Sequence, residues 1–140
     1  MSRAPAGRDA WRLVVAPLVV SRLLWLVVAI VVVGTTLGGT PLIAGLRSTL
    51  LQWDAISYVD IAKHGYPSAL DYHDAFLPGY PLLLRAASWI VRDEVLAGWL
   101  LGVACEAVAL WYIARLVLAE RDRAAARFAV WLVALAPTAM

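Results

Sequence analysis

The 140-residue sequence has no asparagine, one lysine, one cysteine and two histidines, and only 16% of its residues are charged. Without asparagine there is no N-glycosylation acceptor. A single cysteine, Cys105, excludes an intrachain disulfide and any cysteine-built zinc site. A net charge of +2 with no basic run argues against a nucleic-acid partner. What fills the chain instead is apolar. Hydrophobic residues make up 63%, well above the share in soluble domains. Seven Trp and five Tyr supply amphipathic rings of the kind that settle at membrane–water interfaces. Eleven arginines against one lysine, in a background of Ala, Val and Leu, suit a GC-rich bacterial gene.

The first twelve residues form a short basic leader with Arg3, Arg8 and Arg12. Residues 13–37 form an apolar run whose only charge is Arg22. A secretory signal has an apolar core of about 7–15 residues and a small-residue exit. This run is longer and lacks an Ala-x-Ala exit, so it reads as a first transmembrane helix. Arg22 then either snorkels to the interface or pairs inside the bundle. Gly38, Gly39 and Pro41 end the helix, and residues 42–52 carry leucines near a helical period, as in a segment lying along a membrane surface.

Trp53 to Arg85 is the long polar interruption. It holds both histidines, the only lysine and four of the ten acidic residues. Residues 55–64 read as a short helix, with Asp54 as N-cap and Gly65 as stop. Helical spacing puts Asp54, Ser57, Asp60, Ile61 and His64 along one wet side, and Ala55, Tyr58, Val59 and Ala62 on a packed side. After a polar link, Pro81 suits the first turn of another helix. Residues 82–91 are too few to span a bilayer, and Arg85 and Trp89 share a face there.

Arg92-Asp93-Glu94 is a charged stop before a second spanning helix over 95–114. Gly98, Gly102 and Glu106 form one stripe on it, expected to pack on another helix with the Glu106 carboxyl protonated or hydrogen-bonded. On that reading Glu106→Gln should fold normally. Residues 115–127 carry four arginines and read as a cytoplasmic loop. Residues 128–140 start a third apolar segment of about thirteen residues, or roughly 20 Å, against a hydrocarbon core of roughly 30 Å. The sequence therefore reads as the N-terminal piece of a larger membrane protein. By the positive-inside rule the leader and the 120–127 loop are cytoplasmic, and 38–94 lies outside.

The central stretch then resembles a known family. Trp53-Asp54 through Ile61-Ala62-x-x-Gly65-Tyr66, followed by Ala75-Phe76-Leu77-Pro78-Gly79-Tyr80-Pro81 and Arg85, is similar to the signature of PIG-V-like mannosyltransferases, which belong to the GT-C superfamily and serve GPI-anchor synthesis. Pro137-Thr138 resembles the end of that family's third helix. The pattern departs from the family at Leu77, where a second Phe is usual, and at Ser57, where some relatives have His. The resemblance implies an all-α integral membrane protein with GT-C-like transmembrane helices and a long extracytoplasmic first loop carrying juxtamembrane helices. It implies mannose transfer with inversion from a polyprenyl-phosphate donor to a lipid-linked or glycan acceptor, on the outer face of a bacterial plasma membrane. The lipid bilayer itself is then a partner.

The chemistry asks for a base, because an acceptor hydroxyl must lose its proton as the sugar bond forms. By motif position that base is Asp54; on local sequence alone Asp54 is a helix cap. Asp60 and His64 are either a surface i,i+4 pair or contacts to sugar or phosphate. Tyr66 and Trp53 join the substrate-binding candidates through the motif. Arg85 either matches the donor phosphate or anchors the interface beside Trp89. His73 reads as a solvated loop residue. No cofactor is implied; Asp54 and Asp60 alone are a weak divalent-metal pattern. Two other classes stay open: a non-catalytic partial copy serving as scaffold or partner subunit, and a transporter segment, suggested by Glu106.

The topology is directly testable. In a Cys105→Ala background, Ser68→Cys should label with a membrane-impermeant thiol reagent in intact cells, and Ala125→Cys only after permeabilisation. The reverse pattern inverts the assignment.

Overall fold

A computed structural model of the chain describes residues 7–36, 39–66 and 75–136. Among these residues the fold is all helical. The helices are α1 (Gly7–Thr36), α2 (Leu42–Leu50), α3 (Asp54–His64), α4 (Gly79–Val91), α5 (Glu94–Glu120) and α6 (Arg123–Ala134). His73, Ser68 and Pro137-Thr138 lie outside the described residues.

Helices α1 and α5 are long and apolar enough to cross a membrane. Only 22% and 11% of their most apolar windows are buried within the chain, so their apolar surface is not spent on a soluble core. Both run beyond the spans read from sequence. Helix α1 begins at Gly7, within the basic leader, and α5 continues past Ala114 to Glu120. Much of the expected 115–127 loop is therefore helix, since Leu116, Val117 and Leu118 continue the apolar pattern and no Gly or Pro stops it. Asp122 starts α6 by accepting a hydrogen bond from the Ala125 N–H at 2.8 Å.

The chain divides into two compact units. One comprises residues 1–28 and 103–140. Its core is Ala10 and Val14 of α1, Leu110 and Ala114 of α5, and Val130 and Ala134 of α6. Alanine at three of these six positions lets the three helices approach closely. Trp11 and Trp111 stack with centroids 6.1 Å apart, and the Arg115 guanidinium lies 4.9 Å from the Trp111 ring centre. Ser21, fully buried, donates to the Leu18 carbonyl at 2.9 Å.

The same unit settles the Arg22 question. Arg22 does not snorkel; it forms an ion pair with Glu106 across α1 and α5. Snorkelling requires a nearby interface and a side chain free to follow α1, and a carboxylate facing it inside the unit is the nearer partner. The Glu106 carboxyl is thus hydrogen-bonded, as the stripe implied, but to a largely buried guanidinium, whose charge a glutamine at 106 would leave unbalanced.

The other unit comprises residues 29–102. Its core is Ala62 of α3, Leu84 of α4 and Ala97 of α5, flanked by Tyr58, Val59, Ala87, Val91 and Leu101. Gly45 of α2 lies so close to Val33 of α1 that a Cβ there would collide with the valine. The glycine stripe on α5 is only partly used. A Cβ at Gly98 would meet Leu84 and Tyr80 of α4 at 3.5 and 3.6 Å, whereas Gly102 faces open space.

Two expectations for α3 change. Asp54 is the first helical residue rather than the N-cap; the cap position is Trp53, with no side-chain cap hydrogen bond. Ser57 and Ile61, placed on the wet side by spacing, are buried. The packed face of α3 is broader than its apolar residues suggest, because Ser57 and Ile61 adjoin Tyr58 and Ala62 on the helix surface.

The ion pair makes a prediction. Arg22→Leu or Glu106→Gln alone should destabilise the detergent-solubilised protein by about 3 kcal/mol, and the double variant Arg22→Leu/Glu106→Leu should recover most of that loss. Equal destabilisation by the double variant in chemical unfolding would show that the two side chains act independently.

Candidate functional site

The two motif blocks, separated in sequence by the undescribed 67–74, fold onto each other. Tyr58 of α3 meets Phe76 edge-on at 5.0 Å between ring centres and Tyr80 of α4 at 4.8 Å. The Tyr66 hydroxyl donates to the Phe76 carbonyl at 2.6 Å. Edge-to-face rings of this kind add about 0.5–1.5 kcal/mol beyond their buried area. Tyr66, a binding candidate by motif, thus also straps the start of the second block to the end of the first.

On this base α3 presents its polar side. Asp54, Asp60, Lys63 and His64 are exposed. His64 Nδ1 lies 2.9 Å from Asp60 Oδ1, the i,i+4 pair expected from spacing. Gly65 closes the helix at φ 82°, its N–H donating to the Ile61 carbonyl at 2.8 Å. Only glycine adopts that conformation at low cost, which is why the helix stops there.

Trp53 precedes this helix with its side chain 91% exposed, at φ 53° and ψ −129°. A bulky residue in that region costs on the order of 1–3 kcal/mol. Arg85 is exposed on α4, next to the buried Leu84, with exposed Trp89 one turn on. Asp60 and His64 are therefore brought together, and Tyr66 joins the second block. Asp54, Trp53 and Arg85 each face outward from the same unit. Among the described residues no group of three or more His, Cys, Asp or Glu is placed to hold a metal ion.

Sequence reasoning passed over the residues that hold α2 and α3 to the start of α5. Arg47 of α2 pairs with Asp93, and Lys63 of α3 lies 3.5 Å from Glu94. The available signals were the chain's only lysine in a polar helix and an adjacent pair of acids, Asp93 and Glu94, before the second span. Asp93 has a second task, since its Oδ1 accepts from the Leu96 N–H at 2.8 Å and caps α5. That backbone hydrogen bond, with the Arg47 guanidinium next, holds the Asp93 carboxyl below its ordinary range.

No protein-family model matches the chain, and no solved structure matches it. Curated proteins match in part. GPI alpha-1,6-mannosyltransferase 2 from Mus musculus, from Homo sapiens and from Cricetulus griseus are each 39% identical over 51 residues. The match covers 36% of this chain and 10% of each relative, so the chain spans about a tenth of the length of these relatives.

The Asp93 cap has a defined pH dependence. A carboxyl whose folded pKa lies below its unfolded value of about 3.9 stabilises the fold above that value. The contribution is lost as pH falls through the lowered folded value. Asp93→Ala should cost about 1–2 kcal/mol at neutral pH, and Asp93→Asn less, since asparagine still caps and a half-exposed ion pair contributes about 0–1 kcal/mol. In detergent unfolding, the gap between the unsubstituted protein and Asp93→Asn should close as pH falls from neutral into acid, because the amide does not titrate. A gap that stays constant down to pH 2 would mean the carboxylate is not the source.

Proposed function

We propose that this segment belongs to an integral-membrane mannosyltransferase of the PIG-V-like, GT-C type. It takes mannose from a polyprenyl-phosphate donor and passes it, with inversion, to a lipid-linked or glycan acceptor on the extracytoplasmic side. One observation carries the reading most: the Trp53–Tyr66 and Ala75–Arg85 blocks fold together through Tyr58, Tyr66, Phe76 and Tyr80, leaving Asp54 exposed at the start of α3. The partial likeness to GPI alpha-1,6-mannosyltransferase 2 supports the same class.

In the proposed reaction the acceptor hydroxyl gives its proton to the Asp54 carboxylate. Its oxygen bonds to the sugar's anomeric carbon as the bond from that carbon to the phosphate oxygen breaks. The electron pair leaves with the polyprenyl phosphate, and attack from the opposite face inverts the centre. Phosphate is a competent leaving group, so the reaction needs one base and no second acid. Asp60, His64, Tyr66 and Trp53 surround substrate, and Arg85 faces the donor phosphate, where a guanidinium fits the geometry.

The test is Asp54→Asn in the full-length gene product, assayed with labelled polyprenyl-phosphate mannose. Asp54 makes no cap hydrogen bond, so the fold loses only an acid from the first turn, about 0.3–1 kcal/mol. Transfer should fall by at least about 10²–10⁴-fold, while donor binding stays within about twofold. Asp60→Asn should lose activity only in part. Near-wild-type turnover by Asp54→Asn removes the base assignment. A well-folded full-length protein that transfers nothing with Asp54 intact would favour the non-catalytic scaffold instead.

A further inference from the structure

Trp53 sits where neither the backbone nor the packing asks for tryptophan. The Gln52 carbonyl accepts from the Ala55 N–H at 3.1 Å, closing a four-residue turn with Trp53 as its second residue. Its φ of 53° and ψ of −129° match the first central position of a type II′ turn. That position belongs to glycine, since any Cβ is crowded there. Burial of the ring is the usual compensation for such strain, yet the indole is 91% exposed. The other non-glycine residue at positive φ, Arg92 at 61°, is a left-handed helix C-cap, a conformation that helix ends use commonly. Trp53 has no such account. For folding alone, glycine would serve better.

We propose that Trp53 is the stacking platform for the pyranose ring of the sugar substrate. A flat indole offers an electron-rich face to the C–H edge of a pyranose. The turn fixes the direction in which the side chain leaves the backbone next to Asp54, so a sugar lying on the indole is received beside the carboxylate. An interfacial anchor is the other common use of an exposed tryptophan. Anchoring needs only an amphipathic ring at the right depth and gains nothing from a strained backbone. Stacking next to a reacting group needs the side chain aimed from a set point beside that group, and the turn sets that point. The inference rests on the glycosyltransferase reading and adds to it the surface that receives the sugar.

The experiment compares Trp53→Gly, Trp53→Leu and Trp53→Tyr with the unsubstituted full-length gene product. Three quantities are read: the thermal midpoint, equilibrium binding of n-octyl α-mannopyranoside, and kcat and KM for transfer from polyprenyl-phosphate mannose. Trp53→Gly should raise the midpoint by a few degrees, because the strain is gone. Mannoside binding should nonetheless weaken about five- to tenfold, and the KM of a sugar substrate should rise alike. Trp53→Leu should bind as poorly as Trp53→Gly, although it remains apolar. Trp53→Tyr should stay within about threefold of the unsubstituted protein. Unchanged binding by Trp53→Leu makes the residue an apolar anchor and overturns the proposal. So does a lowered midpoint for Trp53→Gly, or a complete lack of mannoside binding by the unsubstituted protein. If no sample transfers sugar, the transferase reading fails, while the midpoint and mannoside binding still decide whether Trp53 is a platform.

Discussion

In hydrocarbon nothing completes a backbone hydrogen bond or solvates a charge, and the charges of this chain are distributed accordingly. Between Arg12 and Arg115 the two long apolar helices carry one cation and one anion in their interiors, Arg22 and Glu106, and these two find each other. Either alone would oppose insertion; together they fix which faces of α1 and α5 meet. Elsewhere in the same unit Ala10, Ala114, Ala126 and Ala134 are buried and let the helices close in. Every other charge in the described residues lies near a helix end or on the short helices α2 to α4.

The same constraint explains why the reactive-looking groups gather between the spans. Asp60, His64 and Asp54 sit on a helix of eleven residues, too short to cross a bilayer. A helix so short is marginal alone. It is held by Tyr58 and Ala62 against α4 and α5, by the Tyr66 strap to Phe76, and by Lys63 at Glu94. Arg47 at Asp93 holds α2 to the same corner. The exposed pairs contribute little stability each. Their effect is on position, since α2 and α3 are both tied to the start of α5 at two adjacent residues, Asp93 and Glu94.

Much of this was legible in the sequence. The two spans, the short helix before Gly65 and the Asp60–His64 pair follow from period, stop signals and spacing, which are local. What was hidden depends on partners distant in the chain. Arg22 has equal local reasons to snorkel or to pair, and only the arrival of α5 decides. Ser57 looks wet by type and is buried because Tyr58 and Ala62 beside it dock. Asp54 has the residue type of a cap, but the turn closed by Gln52 and Ala55 starts the helix one residue earlier. The strain at Trp53 has no sequence signal, because it appears only when a residue type is compared with a backbone angle.

The geometry of α3 also limits how its acids can share the work. Asp54 and Asp60 are six positions apart, which at about 1.5 Å per residue is roughly 9 Å along the axis. A base acts within about 2.6–3.2 Å of the proton it removes. One acceptor hydroxyl cannot be within reach of both carboxylates, so they cannot be alternative bases for the same bond. Asp60 is moreover engaged with His64 at 2.9 Å. A substrate lying along α3 with its reacting hydroxyl at Asp54 would meet the Asp60–His64 pair at a different part of its structure. On the proposed reading, helical rise alone would keep a proton-transfer position at Asp54 apart from a recognition position at Asp60 and His64.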